Sequence, residues 1–184
     1  MSKIDIAVTR FEDGCSCAQA IISAYAEDLG LDRQTAMRIS AGFGGGMGRM
    51  ARTCGAVTGA FMVLGLKHGG EEVEAREQAY DMVREFASRF EGRHGSLLCK
   101  DLLGCDISTP EGRQIVKDRG LRSGICTPLV REAAEILETM LADDDRGLPA
   151  EEGAGGRRRE VLSGCACHAA QRCRRYRIAF LAVQ

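Results

Sequence analysis

The sequence predicts an all-α fold, a compact multi-helix bundle with a glycine-rich loop. Three observations carry this. Apolar residues recur at helical spacing through most of the chain. Ser, Thr and Asp start signals and Gly stop signals bound those stretches. No segment alternates apolar and polar residues between hairpin turns.

The elements follow in order. Residues 3–12 form a short first helix ending near Gly14. Ser16-Cys17-Ala18-Gln19 has the form of a capping box: Ser16 accepts from the Gln19 amide, and Gln19 reaches back. This second helix runs to about Leu29 and stops at Gly30, with Cys17, Ile21, Ala24 and Tyr25 on its apolar face. Asp32 is an N-cap for a helix through Met37 and Ile39, which ends in the glycine run 42–48. Thr53 is the expected cap of the next helix, Cys54 to Lys67, with His68 as a surface group at its end. Gly55 and Gly59, with Ala56 and Ala60, form small-residue rows on it. Such rows admit a close neighbour, in the chain or in a homo-oligomer.

Glu71 to Glu91 is the most periodic stretch; Val73, Tyr80, Val83, Phe86, Ala87 and Phe90 make its stripe. Ser96 is the expected cap of a short helix, Leu97 to Leu103, ended by Gly104. Thr109-Pro110-Glu111 is an N-cap, an N1 proline and an acidic first turn, and that helix ends near Gly120. Thr127-Pro128 repeats the signal for a last helix to about Leu141. Residues 1–142 therefore read as one helical domain. Residues 143–184, with Asp143-Asp144-Asp145 and Arg157-Arg158-Arg159, read as a polar, Gly/Arg-rich and disordered tail.

The bulk properties narrow the function classes. Lys and Arg number 25 against 26 Asp and Glu, so no overall pull toward nucleic acid follows. The first residues lack the apolar core of a secretory signal, and the longest apolar stretch, Ala56 to Leu66, is too short for a membrane span. The expected location is the cytoplasm. There, disulfide scaffolds are rare, so nine cysteines point to metal binding, transient redox work or plain burial.

Four of the nine stand out. Cys17 follows Ser16, Cys54 follows Thr53, Cys99 lies three residues after Ser96, and Cys126 precedes Thr127-Pro128. Each sits at or beside a predicted helix N-terminus, where free N–H groups and the positive dipole end favour a thiolate. Against this stands the ordinary role of cysteine as a small buried residue. No C-x2-C pair occurs, so any shared site is assembled by folding. Four thiolates suit an iron–sulfur centre, another thiolate-bound metal, or disulfide cycling. They suit a redox-inert zinc module equally well.

The glycine run is no nucleotide loop. It lacks the G-x-G-x-x-G spacing and follows a helix rather than a strand. Its expected role is positive φ and close backbone approach, which makes Gly44, Gly45, Gly46 and Gly55 candidates for contact with a cofactor. Met47 and Met50 read as packing residues, Arg49 and Arg52 as charges near Cys54, and His94 as a solvated loop histidine. Cys15 and Cys105 read as incidental, although Cys105 is close enough in sequence to resolve a disulfide with Cys99. Cys165, Cys167, His168 and Cys173 in the tail have metal-ligand types but no haem-attachment spacing.

Residues 10–135 resemble the C-GCAxxG-C-C family, described as putative redox-active proteins with four shared cysteines. The matching pieces are Gly14 with Cys17-Ala18-Gln19-Ala20, then Gly42-Phe43-Gly44-Gly45-Gly46-Met47-Gly48-Arg49, then Cys54-Gly55-Ala56-Val57-Thr58-Gly59-Ala60. Leu64-Gly65-Leu66, Cys99 with Leu102-Leu103-Gly104, and Cys126 complete the set. The resemblance implies a redox role centred on the same four cysteines but no particular reaction; an oxidoreductase or an electron carrier is the reading the thiols themselves suggest. It also implies a partner: a redox partner protein, or a membrane transporter to which a helical interaction protein would bind.

Overall fold

The computed structural model describes residues 1–146. Eight right-handed helices account for most of them: α1 (Lys3–Glu12), α2 (Cys17–Tyr25), α3 (Arg33–Ser40), α4 (Gly55–His68), α5 (Val73–His94), α6 (Cys99–Leu103), α7 (Pro110–Asp118) and α8 (Thr127–Asp145). Among the described residues the sole β pairing is an isolated antiparallel bridge between Thr53 and Leu98. No helix among them is long and apolar enough to cross a membrane.

Local chemistry explains several boundaries directly. The Ser16 capping box forms with both bonds: Gln19 N–H donates to Ser16 Oγ at 3.3 Å, and Ser16 N–H to Gln19 Oε1 at 3.1 Å. Asp32 accepts from the Thr35 amide at 2.9 Å, and Thr109 from the Gly112 amide at 3.0 Å. α2 tightens into a 3-10 turn, Ala26–Leu29, and stops at Gly30 with φ 81°.

Four expected starts or faces are corrected. Thr53 is not the cap of α4: it is held in the bridge to Leu98, and Cys54 takes the N-cap position. Ser96 is not the cap of α6; its hydroxyl accepts from the Leu98 amide at 3.0 Å, so Leu98 is the N-cap and Cys99 the first helical residue. Thr127 is not an N-cap either. A π-helical turn, Arg122–Cys126, runs straight into α8, and the Thr127 amide donates back to the Arg122 carbonyl. On α5, Val73 and Tyr80 face solvent at 54% and 50% exposure, while Ala79, Phe86 and Phe90 are buried. His68 is buried rather than superficial. α8 continues past Leu141 to Asp145. The expected tail and its Cys165, Cys167, His168 and Cys173 lie outside the described residues.

The main core is built from α1, α2, α4, α5 and α8, with Phe11, Ile21, Leu64, Phe86, Phe90 and Leu137 among its fully buried side chains. Truncating one such residue to Ala costs about 2–5 kcal/mol. α2 and α4 approach most closely, because the small row on α4 is filled from within the chain. A Cβ on Gly59 would stand 2.9 Å from the Ala18 carbonyl oxygen and from Ile21 Cβ. A second, smaller apolar cluster joins Ala51, Cys99, Leu103 and Ile107, with Val116 and Ile125 against it.

The glycine run makes a left-handed turn. Gly45, Gly46, Met47, Gly48 and Arg49 all have φ between 62° and 65°. Glycine does this without strain, whereas Met47, Arg49 and Ala51 (φ 55°) each cost about 1–2 kcal/mol. The turn is closed by the Arg49 amide on the Gly44 carbonyl at 3.2 Å and the Arg52 amide on the Gly46 carbonyl at 3.0 Å.

Candidate thiol site

Cys17, Cys54, Cys99 and Cys126 come together on one cavity of about 760 Å³. Gly44, Gly45, Gly46 and Gly55 line the same cavity. It opens where the two apolar clusters meet: Cys54 belongs to the larger and Cys99 to the smaller, and Cys126 packs against both.

Each cysteine is placed by a specific local device. Cys17 is the first residue of α2, set by the Ser16 cap. Cys54 and Cys99 flank the Thr53–Leu98 bridge; Cys54 N–H donates to the Leu97 carbonyl at 2.8 Å and Cys99 N–H to that of Arg52 at 2.7 Å. Cys126 is the last residue of the π-helical turn. Such turns place a side chain off the register of a regular helix and recur at functional sites.

The glycines permit this convergence. A Cβ on Gly46 would lie 2.7 Å from Cys99 Cβ, and one on Gly55 3.0 Å from Cys17 Cβ. A Cβ on Gly44 would meet Ser16 Cβ at 2.6 Å. The backbone is drawn up against the Cβ atoms of Cys17 and Cys99 and against the α2 cap.

The electrostatics differ from the helix-terminus expectation. Burial, opposed by the nearby amides of Ala56 and Val57, pushes the Cys54 thiol up to about 11. Burial, with the neighbouring Cys54 and Cys126, pushes Cys99 up to about 12. Cys17 is raised well above the ordinary thiol range, because it donates a hydrogen bond to Cys126 and is itself desolvated. Only Cys126 is lowered, first by that hydrogen bond and then by the Arg122 charge, against its own burial. The amide that follows it, that of Thr127, is already bonded to the Arg122 carbonyl within the π-helical turn. Cys54 and Cys99 are therefore held neutral chiefly by desolvation, a cost larger than the benefit of a helix end, and Cys17 first by its interaction with Cys126 and then by desolvation.

Among the described residues the six cysteines are free thiols, and no three His, Cys, Asp or Glu side chains are gathered as a metal-holding group. Cys15 and Cys105 do not line the cavity. The Cys105 thiol instead lies 3.9 Å from the Gly112 carbonyl. His94 ends α5, with Nε2 3.1 Å from the Glu132 carboxylate and its ring 4.4 Å from that of Phe90, away from the thiols.

Sequence reasoning missed Arg122. Its guanidinium donates to the carbonyls of Phe11 at 2.7 Å and Cys15 at 3.0 Å, and stands 4.0 Å over the Phe11 ring. It ties the π-helical turn to the α1–α2 junction and so holds Cys126 beside Cys17. Its place four residues before a site cysteine was the available signal, but only folding shows what it grips. Arg113 and Lys117, one turn apart on α7, were missed for the same reason.

A sequence model of one family, described as "Putative redox-active protein (C_GCAxxG_C_C)", matches residues 15–140. No curated protein and no solved structure matches the chain.

Proposed function

This chain belongs to the C_GCAxxG_C_C family, and on that premise we propose that it carries out thiol–disulfide exchange through Cys126 and Cys17. The observation that supports this most is that Cys17 and Cys126 line the same cavity and act on one another's thiols in opposite directions, Cys17 raised and Cys126 lowered.

The exchange balances as follows. The Cys126 thiolate attacks one sulfur of a substrate disulfide, and that S–S bond breaks. The first thiolate leaves and takes a proton from water, which leaves Cys126 in a mixed disulfide. Cys17 then loses its proton to solvent and attacks the Cys126 sulfur, which releases the second thiol. The substrate gains two electrons, the pair ends as a Cys17–Cys126 disulfide, and a dithiol reductant restores it. Cys54 and Cys99 stay protonated beside the pair.

A thiolate-bound metal is the second reading, favoured by the presence of all four cysteines on one cavity. The donor chemistry suits iron or zinc. The arrangement does not: no three of these side chains are gathered as such a group requires. We derive no step through a metal.

One preparation tests both. The full chain is purified anaerobically, and its iron, zinc and free thiols are counted before and after a small disulfide is added. The expected result is metal-free protein that loses two thiols, with Cys17 and Cys126 joined in the peptide map and the change undone by a dithiol. Stoichiometric iron or zinc bound through Cys54 and Cys99, with no two-thiol change, would overturn the exchange reading.

A further inference from the structure

The cavity that carries the thiols is also one-sided in charge. Arg49, Arg113, Lys117 and Arg122 line it, and no Asp or Glu does. The chain as a whole is balanced, with 25 basic and 26 acidic residues, so the bias is local. Among the described residues, none of the four cations is ion-paired with a carboxylate.

Two of these charges are oriented without being neutralised. Arg122 is held by the carbonyls of Phe11 and Cys15. Arg113 Nη1 donates to the carbonyls of Ile107 at 3.2 Å and Ser108 at 2.9 Å. Carbonyls fix a guanidinium in place but leave its net charge uncompensated. Lys117 follows Arg113 by four residues, so the two share a face of α7. Like charges around a low-dielectric cleft focus a field that draws in anions.

Size selects among anions. A cavity of about 760 Å³ falls within the ~300–1,000 Å³ of small-molecule sites. We propose that this cavity is a binding site for a small organic disulfide, or its thiol, that bears carboxylates. Its anionic groups are held by Arg49, Arg113, Lys117 and Arg122, and its sulfur is presented to Cys126. The reacting half of this inference rests on the exchange reading above: one substrate disulfide and the Cys17/Cys126 dithiol become two substrate thiols and the protein disulfide. The anion-binding half stands on the charge of the cavity.

The test separates the two halves. S-methylglutathione, a carboxylate-bearing thioether that cannot exchange, is used to protect Cys126 of the full chain from iodoacetamide, with labelling read by mass spectrometry. The expected result is protection that weakens with added salt and falls roughly tenfold in apparent affinity in the R49E/K117E variant, whose helical circular dichroism is checked first. Absence of protection, protection indifferent to salt and to the variant, or equal protection by inorganic phosphate would overturn the site. In a parallel arm, reduction of glutathione disulfide is compared with that of uncharged hydroxyethyl disulfide. A clear preference for the former, lost in R49E/K117E, supports the whole proposal. Charge-dependent protection with no disulfide reduced would sink the exchange reading and leave the anion site standing. Both disulfides reduced equally, without protection, would do the reverse.

Discussion

Cys17 and Cys126 act on one another across the cavity wall, and this one relationship splits the two thiols in opposite directions: Cys17 is raised and Cys126 lowered. The attacking and resolving roles follow from that asymmetry. So does the first prediction. Near neutral pH, Cys126 is alkylated faster than Cys17, Cys54 or Cys99. Removing the donor in Cys17→Ala raises the Cys126 pKa and slows its alkylation at fixed pH. Peptide mapping after timed iodoacetamide labelling checks this; a Cys126 rate unchanged by C17A would show that the hydrogen bond does not matter.

Arg122 acts on Cys126 in two ways, by its charge and by its grip on the α1–α2 junction. In Arg122→Met, Cys126 labels more slowly at neutral pH. Loss of the carbonyl bonds and of the stacking on Phe11 costs about 1.5–3 kcal/mol. Urea midpoints measured with intact thiols report the second effect. Arg122→Lys restores part of the labelling rate but not the paired bonds.

The raised thiols make stability fall with alkali. Cys54 and Cys99 titrate at about 11 and about 12 in the folded chain, against 9.0 when unperturbed. Between those limits the native state holds the extra protons, so unfolding becomes easier as pH rises. Their contribution is fully present below pH 9.0 and is lost on passing through the folded values. Urea midpoints under reducing conditions should drop above that pH, and drop less in Cys54→Ala. A flat profile for the unaltered chain would contradict this account of burial.

Two glycines of the left-handed turn separate strain from crowding. Gly48→Ala meets only the Gly42 carbonyl oxygen at 3.5 Å, so it bears the φ of 64° alone. About 1–2 kcal/mol is expected. Gly46→Ala adds contacts of 2.7 Å to Cys99 Cβ and 2.8 Å to the Arg52 nitrogen. Overpacking adds about 1–3 kcal/mol more and disturbs Cys99. Equal losses for the two variants would mean that the backbone is not pressed against the thiol.

Ser16→Ala removes the cap that sets the start of α2 and the position of Cys17. It should cost about 0.5–2 kcal/mol in stability and slow disulfide formation between Cys17 and Cys126. Ser16→Asp, which keeps an acceptor, should recover most of the stability.

How much of this was legible follows from the range of each interaction. The Ser16, Asp32 and Thr109 caps and the Gly30, Gly104 and Gly120 stops were all readable, because a cap is a contact over three or four residues. So was the all-α class, and the four cysteines singled out in the sequence line one cavity. Thr53, Ser96 and Thr127 looked like caps too; a distant bridge partner displaced Thr53, whereas at Ser96 and Thr127 neighbouring backbone took the hydrogen bonds first. Leu98 pairs with Thr53, and the π-helical turn fills the hydrogen bonds ahead of Thr127.

Nearness to a helix end does not lower all four thiols: Cys17, Cys54 and Cys99 are raised and Cys126 is lowered. Sequence fixes who sits near a helix end, since that is local. Tertiary structure alone decides desolvation, because burial depends on which elements close over a residue. Burial raised Cys54 and Cys99, the pairing with Cys126 raised Cys17 ahead of burial, and Cys126 is lowered through Cys17 and Arg122. The candidate residues were written in the chain; their division of labour arises from the packing of α2, the glycine turn and the π-helical turn around one cavity.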